Sequence, residues 1–570
     1  MTAVATSDEI DRSLSDLHEG AKRWLTLTAS AKADLLERVR ESTYAQAPSW
    51  AAEAARAKGV AGTPLAGEEW VSGPWALLYA LNRYIASMRE IAREGVPHLA
   101  ERQIRVRPDG QTVVDVFPGG PYDRLLLNGV RGEVWMQPGV TPATLRETMA
   151  VWYKEPNPQP RVALVLGAGN IAAIPPLDVL YELLAKGAVC ILKMNPVNEY
   201  LGPIFERALA PLVEGGFLRF AYGGPEIGKE LCAHPLVDQI HITGSDKTHD
   251  KIVFGDGPDM EDRKRRNDPV LKKQITSELG NVSPTIVVPG PWSAADFRYQ
   301  AEQIVTQKMH NGGFNCIASQ VVILPSDWDG TPKLLAQIEA VLAELRDRPA
   351  YYPGAAQRCE RLSSGDAKRF GANEAGFTPR TLVRVDADSA SPNFEVEAFA
   401  SLLTVTTLPG DTGTYLRDAT SFANERLWGT LGGNVVVHPR TMREFASELD
   451  AAIAALRFGC VAVNAWTGVG FLLTETTWGA YPGHTLDDVR SGIGVVHNRY
   501  LFDKAQKSVI YAPFAPFPRS LFGYGATLLP KPPWFVTNKT ADRTAQALIE
   551  FEMQPSLARA MKVALLAMQG

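Results

Sequence analysis

From Arg161 onward the chain alternates short apolar runs with amphipathic stretches. Arg-Val-Ala-Leu-Val-Leu (161–166) is a buried-strand run closed by glycine, and 188–193, 217–222 and 237–242 repeat the pattern. Helix-like stretches at 177–186, 199–214 and 225–233 separate these runs. Strands alternating with helices predict a parallel sheet covered on both faces, with ligands bound at the carboxyl ends of its strands. A second α/β-like stretch runs from 281 to about 465. Upstream, 8–58 is helix-rich, with Leu14, Leu17, Trp24 and Leu25 near a helical repeat. Residues 102–138 alternate as half-exposed strands do. The charge-dense stretch 255–273 is read as a solvated surface loop. The tail from 508 interleaves Tyr511, Phe514, Phe517, Phe522, Trp534 and Phe535 with prolines, then gives two helix-like segments.

Composition narrows the function classes. A chain of 570 residues with net charge −5 lacks the concentrated basic surface that phosphate backbones require, so nucleic acid is not an expected partner. The five scattered cysteines form no CxxC pair, which argues against structural zinc and for a reducing compartment. The N-terminus lacks the pattern of a signal peptide, and no apolar run approaches a membrane span. A cytoplasmic protein is expected.

Two short segments carry the chemistry. Ile-Thr-Ser-Glu-Leu-Gly (275–280) holds Glu278, and Asn-Gly-Gly-Phe-Asn-Cys (311–316) holds Cys316. A carboxylate and a thiol in a glycine-lined turn are equipped for covalent catalysis through a thioester, then base-assisted hydrolysis. His310 has no spaced partner set for a Cys–His dyad. Gly167-Ala-Gly169-Asn170-Ile-Ala172 satisfies a relaxed dinucleotide fingerprint, but Lys193 stands where that fingerprint wants an acid. Asn170 brings a side-chain amide able to donate to an oxyanion.

The order of segments is informative. Gly-Ala-Gly-Asn (167–170), Leu-Lys-Met-Asn-Pro (192–196), Thr-Gly-Ser (243–245), Glu-Leu-Gly (278–280), the Cys316 turn, Glu-Ala-Phe-Ala-Ser-Leu (397–402) and Gly-Cys-Val-Ala-Val-Asn (459–464) follow one another. Over roughly 130–500 this series resembles the aldehyde dehydrogenase superfamily. The resemblance implies an α/β fold with two α/β domains of parallel-rich sheets plus an oligomerisation and tail region. Its boundaries would be 1–278 for the cofactor-binding domain, 279–475 for the catalytic domain and 476–570 for the C-terminal return.

The resemblance also implies roles. Cys316 is the nucleophile, Glu278 the base, and Asn170 the oxyanion donor beside the Cys316 backbone N–H. NAD or NADP would lie on Lys193 at the adenosine ribose, on Gly244 and Ser245 at the pyrophosphate, and on Glu397 and Phe399 at the nicotinamide end. Departures from the family pattern are Ser277, Asn281, Phe314 and Pro196. Pro196 replaces an acid that favours NAD, which leaves NAD or NADP open. The family's second proton-relay glutamate has no counterpart in 478–483. The expected partners are an aldehyde and further copies of the chain, as a homodimer or homotetramer. Ala465, Trp466 and Phe471 fall where the family lines its substrate tunnel, so a hydrophobic or bulky aldehyde is expected, oxidised to its acid. The alternative is a CoA-acylating aldehyde dehydrogenase or acyl-CoA reductase using the same cysteine. For the tail, packing over the parent domain or a neighbouring subunit is favoured over a membrane-surface contact through Arg559 and Lys562.

Overall fold

The computed structural model describes residues 4–363, 366–372, 376–521 and 527–570. Phe522 lies outside them.

Two sheets organise the chain. The smaller has six strands, in the order Gly492–Ile493, Gln274–Glu278, Gln239–Thr243, Val162–Leu166, Val189–Lys193 and Leu218–Ala221. All pairings are parallel except that of the short Gly492–Ile493 strand. Strand Val162–Leu166 sits between later strands on both sides, so the turn that follows it, with Asn170, opens at the switch in strand order. Crevices at such points are where parallel sheets bind ligands.

The larger sheet has eleven strands. Seven run parallel through its middle, from Ala505–Tyr511 to Arg380–Arg384, and antiparallel strands close both edges. Ser283–Val287 enters this sheet directly after Glu278 leaves the smaller one. The candidate base therefore stands where the chain crosses between sheets.

The helix-rich N-terminus forms Ser7–Thr26 and Ala29–Ala57, which bury Leu14, Leu17, Trp24 and Trp50 in the core of the smaller sheet. Thr6 and Glu9 close a capping box on the first helix. The β-rich stretch gives antiparallel strands at Ile104–Val106, Thr112–Phe117 and Arg131–Met136.

Two expectations need correcting. The helix expected over 199–214 is broken into a 3-10 turn and the helices Gly202–Ala208 and Ala210–Glu214. Pro211 has no N–H to continue the ladder and crowds the turn before it. The charged stretch expected as a loop contains the helix Met260–Arg265, with no buried residue. Its acids lie in the first turn and its bases in the last, as the helix dipole favours.

The tail folds back on its own chain. Helix Ala541–Met553 packs on Ala66–Trp70, and Leu557–Ala567 packs on Ala541–Met553. The last turns leave Leu557, Met561, Leu565 and Met568 exposed. Among the described residues, no helix is long and apolar enough to cross a membrane.

Candidate active site

Cys316 follows helix Ala294–Met309 in a tight loop. Asn311, Gly312 and Gly313 adopt φ of 54°, 68° and 83° in succession. Asn tolerates the left-handed region better than most side chains. Gly313 is required for a second reason: a Cβ there would sit 2.4 Å from the Ala400 carbonyl oxygen. The loop reverses the chain and turns Cys316 toward the smaller sheet.

Glu278 ends strand Gln274–Glu278 and is 3% exposed. Burial pushes its carboxyl up to about 7; contacts with Cys316 and Trp478 pull the other way. Among the described residues, its Oε1 has no hydrogen-bond partner. Burial also pushes the Cys316 thiol well above the usual range, and the Glu278 charge adds to this. The resting thiol thus keeps its proton, beside a carboxylate poised to receive one.

Asn170 lies in the turn after Val162–Leu166. Its Nδ2 donates to the Phe314 carbonyl at 2.8 Å, two residues before Cys316. A primary amide has two N–H donors, so this contact commits one of them.

All eight residues singled out from sequence line a single cleft of about 940 Å³. Cys316, Glu278 and Asn170 stand at one part of it, with Glu397 and Phe399, while Lys193, Gly244 and Ser245 line it along the strand ends of the smaller sheet. Ser245 N-caps helix Asp246–Phe254, accepting from the Thr248 N–H at 3.2 Å. That places a helix start, with its partial positive charge, in the cleft wall. Glu397 Oε1 accepts the Asn281 N–H at 3.2 Å, and burial raises its carboxyl to about 8. Gly280 makes room for it, because a Cβ there would fall 2.1 Å from Glu397 Oε2.

The sequence model of the aldehyde dehydrogenase family matches residues 159–473, more than half the chain. The chain belongs to the aldehyde dehydrogenase family. A Staphylococcus haemolyticus protein bearing the aldehyde dehydrogenase name is 22% identical over 291 residues, 47% of this chain and 56% of that protein. The chain thus spans little more than half the length of that relative. Among solved structures, an NADP-dependent glyceraldehyde-3-phosphate dehydrogenase from Bacillus halodurans complexed with NADP matches at TM-score 0.57 and 16% identity. It covers 89% of this chain and 92% of its own. An NAD-dependent aldehyde dehydrogenase from Sinorhizobium meliloti matches at 0.57 and 16%, covering 90% and 89%. These likenesses concern the fold.

Outside the segment matching the aldehyde dehydrogenase family lies a support for the cysteine loop that has no motif in the sequence. Lys58 Nζ donates to the Asn170 carbonyl at 2.9 Å and to Asn311 Oδ1 at 3.1 Å, and pairs with Glu69 at 2.9 Å. Glu68 Oε2 accepts the Asn311 N–H at 3.1 Å and pairs with Arg348. Burial alone would raise the Glu68 carboxyl; Arg348, His310 and Lys58 together hold it below the usual range. Tyr351 donates to the same two Asn oxygens that Lys58 reaches. Asn311 Nδ2 adds bonds to the Asn170 and Phe314 carbonyls. Asn170 and the cysteine loop are thereby tied together from behind.

On the other side of Cys316 lies a small lobe of about 40 Å³, lined by Val71, Ile171, Trp466, Phe471, Trp478 and Trp534 among others. Trp466 and Phe471 were expected there; Ala465 does not line it. Trp478 and the tail residue Trp534 were not singled out for it. His310 also faces this lobe, and burial lowers its pKa while the Glu68 carboxylate raises it.

Proposed function

We propose that this aldehyde dehydrogenase family member oxidises an apolar aldehyde to its carboxylic acid with NAD or NADP, through a thioester on Cys316. The observation that carries this reading is that Cys316 and buried Glu278 line the same cleft, one large enough for a dinucleotide. The residues fit the cofactor. Gly244 and Ser245 at the start of helix Asp246–Phe254 suit a pyrophosphate, Lys193 and Glu397 suit hydroxyls, and Phe399 lies at the Cys316 end. The chemistry that NAD or NADP supplies when bound is acceptance of two electrons from the adduct on Cys316.

The chain's own residues do the rest. Cys316 adds to the aldehyde carbon once its proton has left, and Glu278 is the acceptor beside it. The oxygen of the adduct takes the second Asn170 N–H and the Cys316 backbone N–H. Glu278 passes the thiol proton on to solvent; after oxidation it accepts a proton from water, and the resulting hydroxide attacks the thioester carbonyl. The carbon–sulfur bond breaks, the acid leaves and Cys316 is restored. The aromatic lobe, at about 40 Å³, receives only the first atoms of the aldehyde's apolar body and keeps water from them.

The test is reduced-cofactor formation from a medium-chain aldehyde, with NAD and NADP separately and each with and without CoA. Free acid formed without CoA supports the reading. Turnover only with CoA replaces water by a thiol as acyl acceptor and removes Glu278 from the hydrolytic role. Absence of turnover across short, medium and aromatic aldehydes, with folded protein, rejects it.

A further inference from the structure

A further cavity, of about 220 Å³, lies behind the cysteine loop and shares no lining residue with the catalytic cleft. Its apolar wall comes from Pro64, Leu65, Met309, Phe314, Leu345 and Val536. Its polar wall is one-sided. Arg346, Arg348, Arg380 and Lys539 line it, and among the described residues no carboxylate does. Arg348 and Arg380 are already paired, with Glu68 and Asp347. Arg346 and Lys539 are exposed and form no ion pair among the described residues.

The cavity is built partly from Thr63–Leu65 and Val536–Lys539, both outside the family-matched segment. Those segments close over Gly312 and Phe314, the residues that turn the chain into Cys316. An apolar interior under two unpaired cations matches a molecule with an apolar body and one anionic end. At the ~30 Å³ that a water occupies in the liquid, or somewhat less for packed carbon, the space takes about seven to ten non-hydrogen atoms.

We propose that this cavity is a binding site, separate from the catalytic cleft, for a compact apolar carboxylate. Its carboxylate meets Arg346 and Lys539, and its body lies against Met309, Leu345 and Phe314. An occupant would rest on Gly312 and Phe314, so it would alter the mobility of the cysteine loop and with it the turnover rate. The site needs no aldehyde or cofactor, and binding can be measured on the resting enzyme.

Calorimetric titration of the full-length protein with octanoate, octan-1-ol and octylamine tests it. Octanoate is expected to bind more tightly than either of the others. Arg346→Glu with Lys539→Glu is expected to weaken octanoate by about tenfold or more, with the melting temperature and unliganded turnover retained. Ala350→Leu, which fills the cavity without touching its charge, is expected to weaken it as well. Octanoate that binds equally well to the charge-reversed protein would place it in the catalytic cleft and overturn the proposal. So would octylamine binding as well as octanoate, or no octanoate binding at millimolar concentration. Failure of aldehyde oxidation would leave all three readouts intact.

Discussion

The two spaces flanking Cys316 are built on different plans. The large cleft is assembled from turns at strand ends: Gly167–Asn170, Lys193, Gly244–Ser245 and Glu278 each follow or close a strand of one sheet. The small lobe takes Val71, Ile171, Trp466, Phe471, Trp478 and Trp534 from segments scattered over more than 450 positions. The first carries the charged and hydrogen-bonding groups, most of them at the ends of one sheet's strands; the second is apolar and exists only after tertiary packing. On the proposed reading, reaction chemistry is carried by short motifs, and selectivity by distant side chains brought together.

Substitutions on the cleft side should remove chemistry, and those on the lobe side should redirect it. Cys316→Ala is expected to lower turnover about 10⁴-fold or more, since it removes the sulfur that the proposed thioester needs. Steady-state formation of reduced cofactor measures it. A variant retaining a tenth of the activity would break the comparison at its centre. Glu278→Gln is expected to slow acid release by about 10²–10⁴-fold while a burst of reduced cofactor persists. In the parent enzyme the base is the ionised form, so the hydrolytic rate should rise as pH passes upward through about 7. The glutamine variant should lack that limb. A rate that falls over the same window would contradict the assignment.

Lys58→Met reaches the cleft from behind. It frees the Asn170 and Asn311 oxygens and strands Glu69, which is 1% exposed. A fall in kcat of about 10–100-fold is expected from misplacement of the cysteine loop. Loss of one partner from a buried pair adds about 3–5 kcal/mol of destabilisation, read by denaturant unfolding. Lys58→Arg should restore stability in part; unchanged kcat in both variants would detach the N-terminal clamp from catalysis. The smallest effect is expected at Trp534→Ala. Widening the lobe should shift kcat/KM toward longer aldehydes by about tenfold at most and leave the pH limb in place. A chain-length series with Cys316 and Glu278 intact distinguishes this from a general loss.

The same contrast explains what can be read from sequence. The strands at 161–166, 188–193 and 237–242 are visible because each is a continuous apolar run ending in a turn, which is a local signal. Every candidate named from the ordered motifs lines the large cleft; five sit at the ends of such strands, while Cys316, Glu397 and Phe399 come from loops of the second α/β stretch. Lys58, Glu68 and Glu69 are invisible to the same reasoning. In sequence they are charged residues at the end of a helix and in a five-residue helix, the pattern of a solvated surface. Only the fold buries them, by laying Ala541–Met553 over Ala66–Trp70, the cysteine loop against Glu68 and Lys58 against Glu69. Trp534 is hidden for a similar reason, because its partners are 56 and 68 residues away at Trp478 and Trp466. The broken helix over 199–214 was legible in principle, through Pro211.

Gly280 has a consequence for descent. A Cβ at 280 would meet only the carboxylate tip of Glu397, 117 residues away, so a side chain there would displace that carboxylate. The constraint runs one way: loss of Glu397 frees position 280, whereas a side chain at 280 would cost Glu397 its place beside the Asn281 N–H.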